Sequence, residues 1–116
     1  LDININGDGS DLLDFTYIQD LIQGTALVVD KEEARNETFN LTYGEARSIG
    51  DMAKILENHF SNIKINYTPK DSLTPDRGTL NINKARRLLG YDPQFSIEKG
   101  YSKYIQWYKE FWASIK

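Results

Sequence analysis

The sequence predicts an α/β fold in an α+β arrangement: a small mixed sheet of short strands with about four helices. Three observations point there. Residues 2–6 and 63–67 alternate apolar and polar side chains with the period of a strand. Apolar residues recur at helical spacing from Ile18 to Val29, from Ile49 to Phe60 and from Ile97 to Ile115. The two kinds of segment interleave along 116 residues, the length of one ordinary domain.

In chain order, Ile3 and Ile5 share one face of the first strand and Asn4 and Asn6 the other. A turn at residues 7–11 follows, because Gly7 and Gly9 accept positive φ and Asp8 and Ser10 bond local backbone. It is expected to reverse the chain into a second strand at residues 14–18, which are aromatic and β-branched. The first helix is expected over residues 18–30 on the stripe Ile18, Leu21, Ile22, Ala26 and Val29, with Gly24 allowing close packing. Residues 31–37 are charged and read as a loop, and Thr38-Phe39-Asn40-Leu41 as a short strand. Ser48 with Asp51 resembles a capping box and opens a helix whose inner stripe is Ile49, Met52, Ala53, Leu56 and Phe60. After the strand at 63–67, Pro69, Pro75 and Gly78 make residues 68–80 a loop. Asn81 or Asn83 caps a short helix over 84–89 that stops at Gly90. The last helix starts after Ser96. Its aromatic stripe (Tyr101, Tyr104, Tyr108, Phe111, Trp112) is expected to pack on a core rather than to serve as a ligand platform.

Composition narrows the function. Hydrophobic residues make up 40% and charged residues 27%, which suits a globular chain. The net charge of −3, with no basic cluster, argues against nucleic-acid binding. No cysteine is present, which removes disulfides, thiolate metal sites and thiol nucleophiles and fits a reducing, cytoplasmic setting. No apolar run is long enough to cross a membrane and no signal-peptide pattern occurs. Asn-x-Thr triplets at Asn36, Asn40 and Asn66 are read as chance. The chain enters its first strand without a lead-in, as expected of a piece of a longer protein.

Local catalytic motifs are missing. His59 is the single histidine, at a helix end, with no clustered carboxylate. The turn Asn6-Gly7-Asp8-Gly9-Ser10-Asp11 has a calcium-loop look, but counting from Asn4 puts Phe15 at the twelfth position, where a carboxylate is required. Gly7-Asp8-Gly9 is not a dinucleotide fingerprint, because Leu12 stands where the third glycine is due. No Tyr-x-x-x-Lys pair is present.

A set of ordered motifs nevertheless carries a resemblance. They are Gly7-Asp8-Gly9 with Asp14-Phe15-Thr16-Tyr17-Ile18-Gln19-Asp20, Phe39-Asn40-Leu41 with Gly44, Ser48-Ile49 with Met52-Ala53, Arg77-Gly78-Thr79-Leu80-Asn81-Ile82-Asn83-Lys84-Ala85, Leu88-Leu89-Gly90-Tyr91-Asp92-Pro93, and Ser96-Ile97-Glu98-Lys99-Gly100. Each is weak alone; in this order and spacing, over nearly the whole chain, they are jointly specific. The chain resembles the carboxyl-terminal, substrate-binding portion of extended short-chain dehydrogenases/reductases, the NAD-dependent nucleotide-sugar epimerases and dehydratases, UDP-glucose 4-epimerase among them.

The resemblance implies a single substrate-binding domain over residues 1–116, with the amino-terminal Rossmann domain as its partner elsewhere. That domain would carry NAD and the catalytic Tyr-x-x-x-Lys, so this chain binds no cofactor and is inactive alone. It further implies a nucleotide-diphosphate sugar as ligand, with Asn4 and Asn6 at the nucleobase, Arg77 as the best diphosphate ligand and Arg47 as a second cation. Asp20 is expected to be structural. A homodimer of the intact enzyme is compatible with the resemblance. Two departures stand out. Leu13 occupies a position where relatives hold a basic residue, and Asp71-Ser72-Leu73-Thr74 replaces an Arg-Pro-Gly-Asp run. They keep a second reading open, a non-catalytic binding module that retained the scaffold and lost diphosphate contacts.

Overall fold

The computed structural model describes residues 2–115. Strand β1 (Asp2–Asn6) pairs in parallel with β4 (Lys64–Thr68), and the two-residue strand β2 (Leu12–Leu13) pairs antiparallel with β3 (Arg47–Ser48). Four α-helices accompany them: α1 (Ile18–Asp30), α2 (Ile49–His59), α3 (Asn83–Leu89) and α4 (Ile97–Ser114). The α/β reading and the helix count hold. The turn at residues 7–11 does not make a hairpin, since β1 takes its hydrogen bonds from β4 and not from β2. Positive φ at Gly7 and Gly9 instead folds the chain so that Gly9 O accepts the N–H of Gly50 at 2.8 Å.

Two expected strands are irregular. Residues 14–17 run extended without a ladder, because Asp14 bonds to loops. Its carboxylate accepts from Thr42 Oγ1 (2.9 Å), Gly44 N (3.1 Å) and Leu80 N (3.0 Å). Residues 38–41 have no partner strand; Phe39 and Leu41 serve instead as partly buried packing for the core. The charged stretch after α1 includes one 3-10 turn, Glu32–Ala34. Most local signals elsewhere were accurate. Ser48 Oγ accepts from Asp51 N at 3.0 Å while the Asp51 carboxylate accepts from Ser48 N, which closes a capping box. Gly90 ends α3 at φ 69°, but neither asparagine caps its start: the helix begins at Asn83 itself, Ile82 stands at the cap with no side-chain bond, and Asn81 Oδ1 accepts from Asn83 N in the turn before it.

The core is small. Ala34, Ile82, Ala85, Leu89 and Tyr91 are buried together, flanked by Leu27, Val28, Phe39 and Leu41. The molecule measures 50 × 41 × 19 Å with a radius of gyration of 17.0 Å. A compact chain of this length would have about 13 Å, so this one is a slab. The apolar stripe of α1 points out of that slab: Ile18, Leu21, Ile22 and Val29 are exposed, while the inward face carries Asp20 and Gly24. Gly24 is needed there, since a Cβ would lie 2.9 Å from Leu41 Cδ2 and 3.0 Å from Tyr91 Cε2. The stripe of α4 is only half seated. Ile97, Gly100 and Ile105 are buried, but the aromatic rings beyond them are not covered, contrary to the expected core packing. Periodicity establishes which face is apolar; a slab this thin has nothing further to place on it.

Asp20 is 3% exposed, and its carboxylate accepts from Gln94 N (2.8 Å) and Phe95 N (2.9 Å). Losing two charge-assisted bonds, Asp20→Ala is expected to destabilise by about 3 kcal/mol in urea titrations. Tyr91 is buried with its hydroxyl donating to Thr42 O at 3.0 Å. Burial, and then the charges of Asp20 and Asp14, push its phenol up to about 12. An unfolded phenol titrates near pH ~10. The folded chain therefore keeps a proton that the unfolded chain releases, and the associated stability, complete below pH ~10, is lost as pH rises through about 12. The urea midpoint is expected to fall across that window, and Tyr91→Phe to flatten the fall.

Candidate functional site

The parallel β1–β4 ladder sets Asn4 beside Asn66 and Asn6 beside Thr68. Asn66 Nδ2 donates to Asn4 Oδ1 (3.3 Å) and Thr68 Oγ1 to Asn6 Oδ1 (2.9 Å). Both asparagine carbonyls are thereby engaged within the polar row, and the two amide NH2 groups make no side-chain hydrogen bond among the described residues. Beside this row lies a cleft of about 370 Å³. Its apolar lining includes Ile5, Leu13, Met52 and Leu56; its polar lining is Asn4, Asn6, Asp11, Thr74 and Arg77. Ligand pockets are commonly of this size and make-up, an apolar wall with a few convergent polar groups.

Three of the four predicted site residues, Asn4, Asn6 and Arg77, thus meet at one cleft. Arg77 reaches it from the exposed loop after β4, and its guanidinium has no hydrogen bond or ion pair among the described residues. The structure does not bring Arg47 to them. Arg47 Nη1 donates to Glu45 Oε1 (2.6 Å) and Nε to Glu98 Oε1 (3.0 Å). The hydrogen bond to Glu45 first, and that to Glu98 next, raise its pKa above the ordinary arginine value. Its charge is matched by two carboxylates, and it joins β3 to the first turn of α4. Leu13, paired with Arg47 across the β2–β3 ladder, contributes a hydrophobic wall at the position where the resemblance alone would imply a basic residue.

One group was not read from the sequence. Lys70 Nζ lies 2.5 Å from Asp11 and 3.0 Å from Asp76, and hydrogen bonding to Asp11, then to Asp76, raises its pKa. Asp11 lines the cleft and Asp76 precedes Arg77, so Lys70 ties the loop across the cleft mouth to the glycine turn. No residue from 68 to 80 is buried, and this loop is held by polar contacts: Lys70 near its start on Asp11 and on Asp76, with Leu80 N on Asp14 and Ala46 N on Thr79 Oγ1 at its end. Lys70, Asp11 and Asp76 meet only in three dimensions, which is why spacing did not reveal them.

Other candidates have structural occupations. His59 ends α2 and its Nε2 lies 3.1 Å from Ser102 Oγ on α4, while its carbonyl accepts from Lys109 Nζ at 2.6 Å. In the glycine turn, the Asp8 carboxylate binds Ser10 N and Oγ, and these bonds lower its pKa. Among the described residues no group of three or more His, Asp or Glu is placed to hold a metal ion, and no helix is long and apolar enough to cross a membrane. The turn also does not fit the pyrophosphate of NAD. It joins one strand to another rather than a strand to a helix N-terminus, and Gly9 lies against the Gly50 backbone, whose N–H its carbonyl accepts at 2.8 Å, where that group would need room.

A second cavity, of about 280 Å³, lies between the start of α1 and α4, lined by Tyr17, Ile18, Met52, Phe95, Tyr101 and Tyr104 among others. Tyr17 and Phe95 pack there with ring centroids 4.7 Å apart. It has little polar lining and no uncommitted charge.

No family model matches the chain. Individual relatives do. An uncharacterized UDP-glucose epimerase of Bacillus subtilis is 32% identical over 105 residues, which is 89% of this chain and 33% of that protein. The structure of an epimerase from the thermophilic methanogen Methanothermobacter thermautotrophicus superposes with a TM-score of 0.89 at 33% identity, over 97% of this chain and 34% of the other. A UDP-glucuronic acid 4-epimerase from Bacillus cereus, solved with UDP-glucuronic acid and NAD, superposes with a TM-score of 0.75 at 32% identity, over 84% and 32%. The chain spans about one third of the length of the relatives it matches. Its likeness is to the carboxyl-terminal part of nucleotide-sugar epimerases of the short-chain dehydrogenase/reductase type.

The loop over the cleft depends on Lys70. In Lys70→Met, amide hydrogen exchange at residues 71–79 is expected to quicken roughly severalfold while the α3 amides keep their protection. Unchanged exchange in that loop would show that Lys70 does not hold it.

Proposed function

We propose that this chain is the nucleotide-sugar-binding, carboxyl-terminal portion of an NAD-dependent epimerase or dehydratase, and that the 370 Å³ cleft receives the nucleotide end of the substrate. The observation that carries this reading is the convergence of Asn4, Asn6 and an uncommitted Arg77 on a single cleft with an apolar lining. The planar guanidinium of Arg77 suits two phosphate oxygens at once. The amide NH2 groups of Asn4 and Asn6 suit the carbonyl oxygens of a base lying along β1. Solved relatives hold UDP-sugar and NAD together, which supports the substrate class.

In this reading the redox step belongs to the remainder of the enzyme. NAD supplies transient oxidation of the sugar, and the base is a Tyr-x-x-x-Lys pair that this sequence does not contain. What this chain contributes is position: it binds the nucleotide and holds it by groups fixed on β1 and the Arg77 loop. The outward stripe of α1, with Ile18, Leu21, Ile22 and Val29 exposed, is the surface on which an amino-terminal Rossmann domain would pack. The chain alone is expected to convert no UDP-sugar. Leu13 and the matched charge of Arg47 favour the non-catalytic alternative as far as phosphate is concerned, because they leave Arg77 to act alone.

Calorimetric titration separates the readings. UDP is expected to bind saturably and more tightly than uridine. Arg77→Ala is expected to weaken UDP about tenfold or more and to leave uridine within about twofold. Equal binding of UDP by Arg77→Ala and the parent would remove Arg77 from the site. Binding of neither UDP nor uridine would remove the nucleotide reading for this chain.

A further inference from the structure

The glycine turn and the loop across the cleft are rich in carboxylates. Residues 7–11 carry Asp8 and Asp11, and residues 68–80 carry Asp71 and Asp76 against two cations, Lys70 and Arg77. With four negative charges and two positive ones so close, the default for either cation is an ion pair. Every one of these carboxylates has a partner. Asp8 accepts from Ser10 N and Oγ, and Asp71 from Leu73 N at 2.9 Å. Asp11 and Asp76 both go to Lys70 Nζ, at 2.5 and 3.0 Å. Arg77 is the cation left over, although Asp76 is its neighbour in the chain and Asp11 lines the same cleft.

Solvent exposure explains the partition. The side chains of Lys70 and Asp11 are 38% and 28% exposed, whereas that of Asp76 is 95% exposed. An ion pair gains most where water and salt screen it least, so Lys70–Asp11 is the stronger contact and Asp76 joins a cation already in place. An ammonium carries three N–H donors and serves both carboxylates at once. Arg47 shows the opposite outcome for a guanidinium, held between Glu45 and Glu98 with its charge matched. Without Lys70, Asp11 would stand in the cleft as an unpaired anion and Asp76 would lie beside Arg77. Either change works against a bound phosphate: a free carboxylate repels it, and one paired with Arg77 takes its place.

We propose that Lys70 is a positioning residue for Arg77: by holding Asp11 and Asp76 together it keeps both carboxylates off the guanidinium and leaves Arg77 free for an anion in the cleft. That the anion is a diphosphate rests on the nucleotide reading; that Arg77 is kept free does not. Two measurements separate these, with circular dichroism as the check on folding. The first needs no ligand. Phenylglyoxal attacks a neutral guanidine, so an ion pair slows it, and peptide mass spectrometry reads the rate at Arg77 against that at Arg47 of the same molecule. In Lys70→Met the Arg77 rate is expected to fall about threefold, the range of a partly exposed ion pair. In the triple variant Lys70→Met/Asp11→Asn/Asp76→Asn it is expected to return to within about twofold of the parent. The second is calorimetric titration with UDP, which Lys70→Met is expected to weaken about fivefold and the triple variant to restore to within about twofold. A tie that only stiffened the loop would be lost equally in both variants, and neither measurement would recover. An Arg77 rate unchanged in Lys70→Met, or not restored in the triple variant, overturns the proposal. So does a UDP affinity equal in the parent and Lys70→Met. Arg77 rates that fall and recover while no form binds UDP support the role of Lys70 and remove the nucleotide reading instead.

Discussion

Two carboxylates, Asp14 and Asp20, hold this molecule together. They stand six residues apart, Asp14 on the segment that leads into α1 and Asp20 in its first turn, and each accepts backbone N–H bonds from distant chain. Asp14 takes Gly44 N and Leu80 N with the Thr42 hydroxyl; Asp20, buried, takes Gln94 N and Phe95 N. Residues 42–44, 80 and 94–95 are otherwise loops that would have to be held by packing. A slab 19 Å thick has little packing to offer, and among the described residues only Tyr91 and Leu89 are large side chains buried completely. Hydrogen bonds to an ionised acceptor are stronger than neutral ones and carry direction, so they fix loop geometry where apolar contact is scarce. The cleft inherits that order. Leu80, pinned by Asp14, ends the loop that carries Arg77, and Lys70 pins it near its start.

The features that could be read along the sequence are the ones whose causes are local. The Ser48–Asp51 box and the stop at Gly90 each need only a few neighbouring residues, and both stand as expected. The same holds for the helical span of α4, which periodicity alone establishes. Where the reading went astray, the deciding partner lay far away. Residues 14–17 have strand-like side chains, yet Asp14 answers to residues 28 to 66 positions further on. Two-residue ladders such as β2–β3 carry no period to detect. The stripe on α1 marked an apolar face correctly, and the structure alone shows that it points outward, because the core meets α1 through Asp20 and Gly24 instead.

The site divides in the same way. Asn4 and Asn6 share a strand face by simple alternation, but only the fold shows that Arg77 comes to the same cleft. Arg47 and Arg77 are equivalent in sequence as loop-flanking cations. The structure distinguishes them by their neighbours, two carboxylates for one and none for the other. Charge availability, rather than charge, is the quantity that a binding site uses, and it is a property of tertiary contacts.

The parallel pairing of β1 with β4 has a consequence for how the chain is made. Asp2 to Asn6 are synthesised 62 residues before their hydrogen-bonding partners, Lys64 to Thr68. Closing a loop of that length costs on the order of 4 kcal/mol in chain entropy before the ladder returns anything. Until Thr68 exists, β1 lacks the parallel partner it has in this structure. The cleft wall that holds Asn4 and Asn6 is therefore a late product of folding, while the capped helix α2 between the two strands can form as soon as it is made.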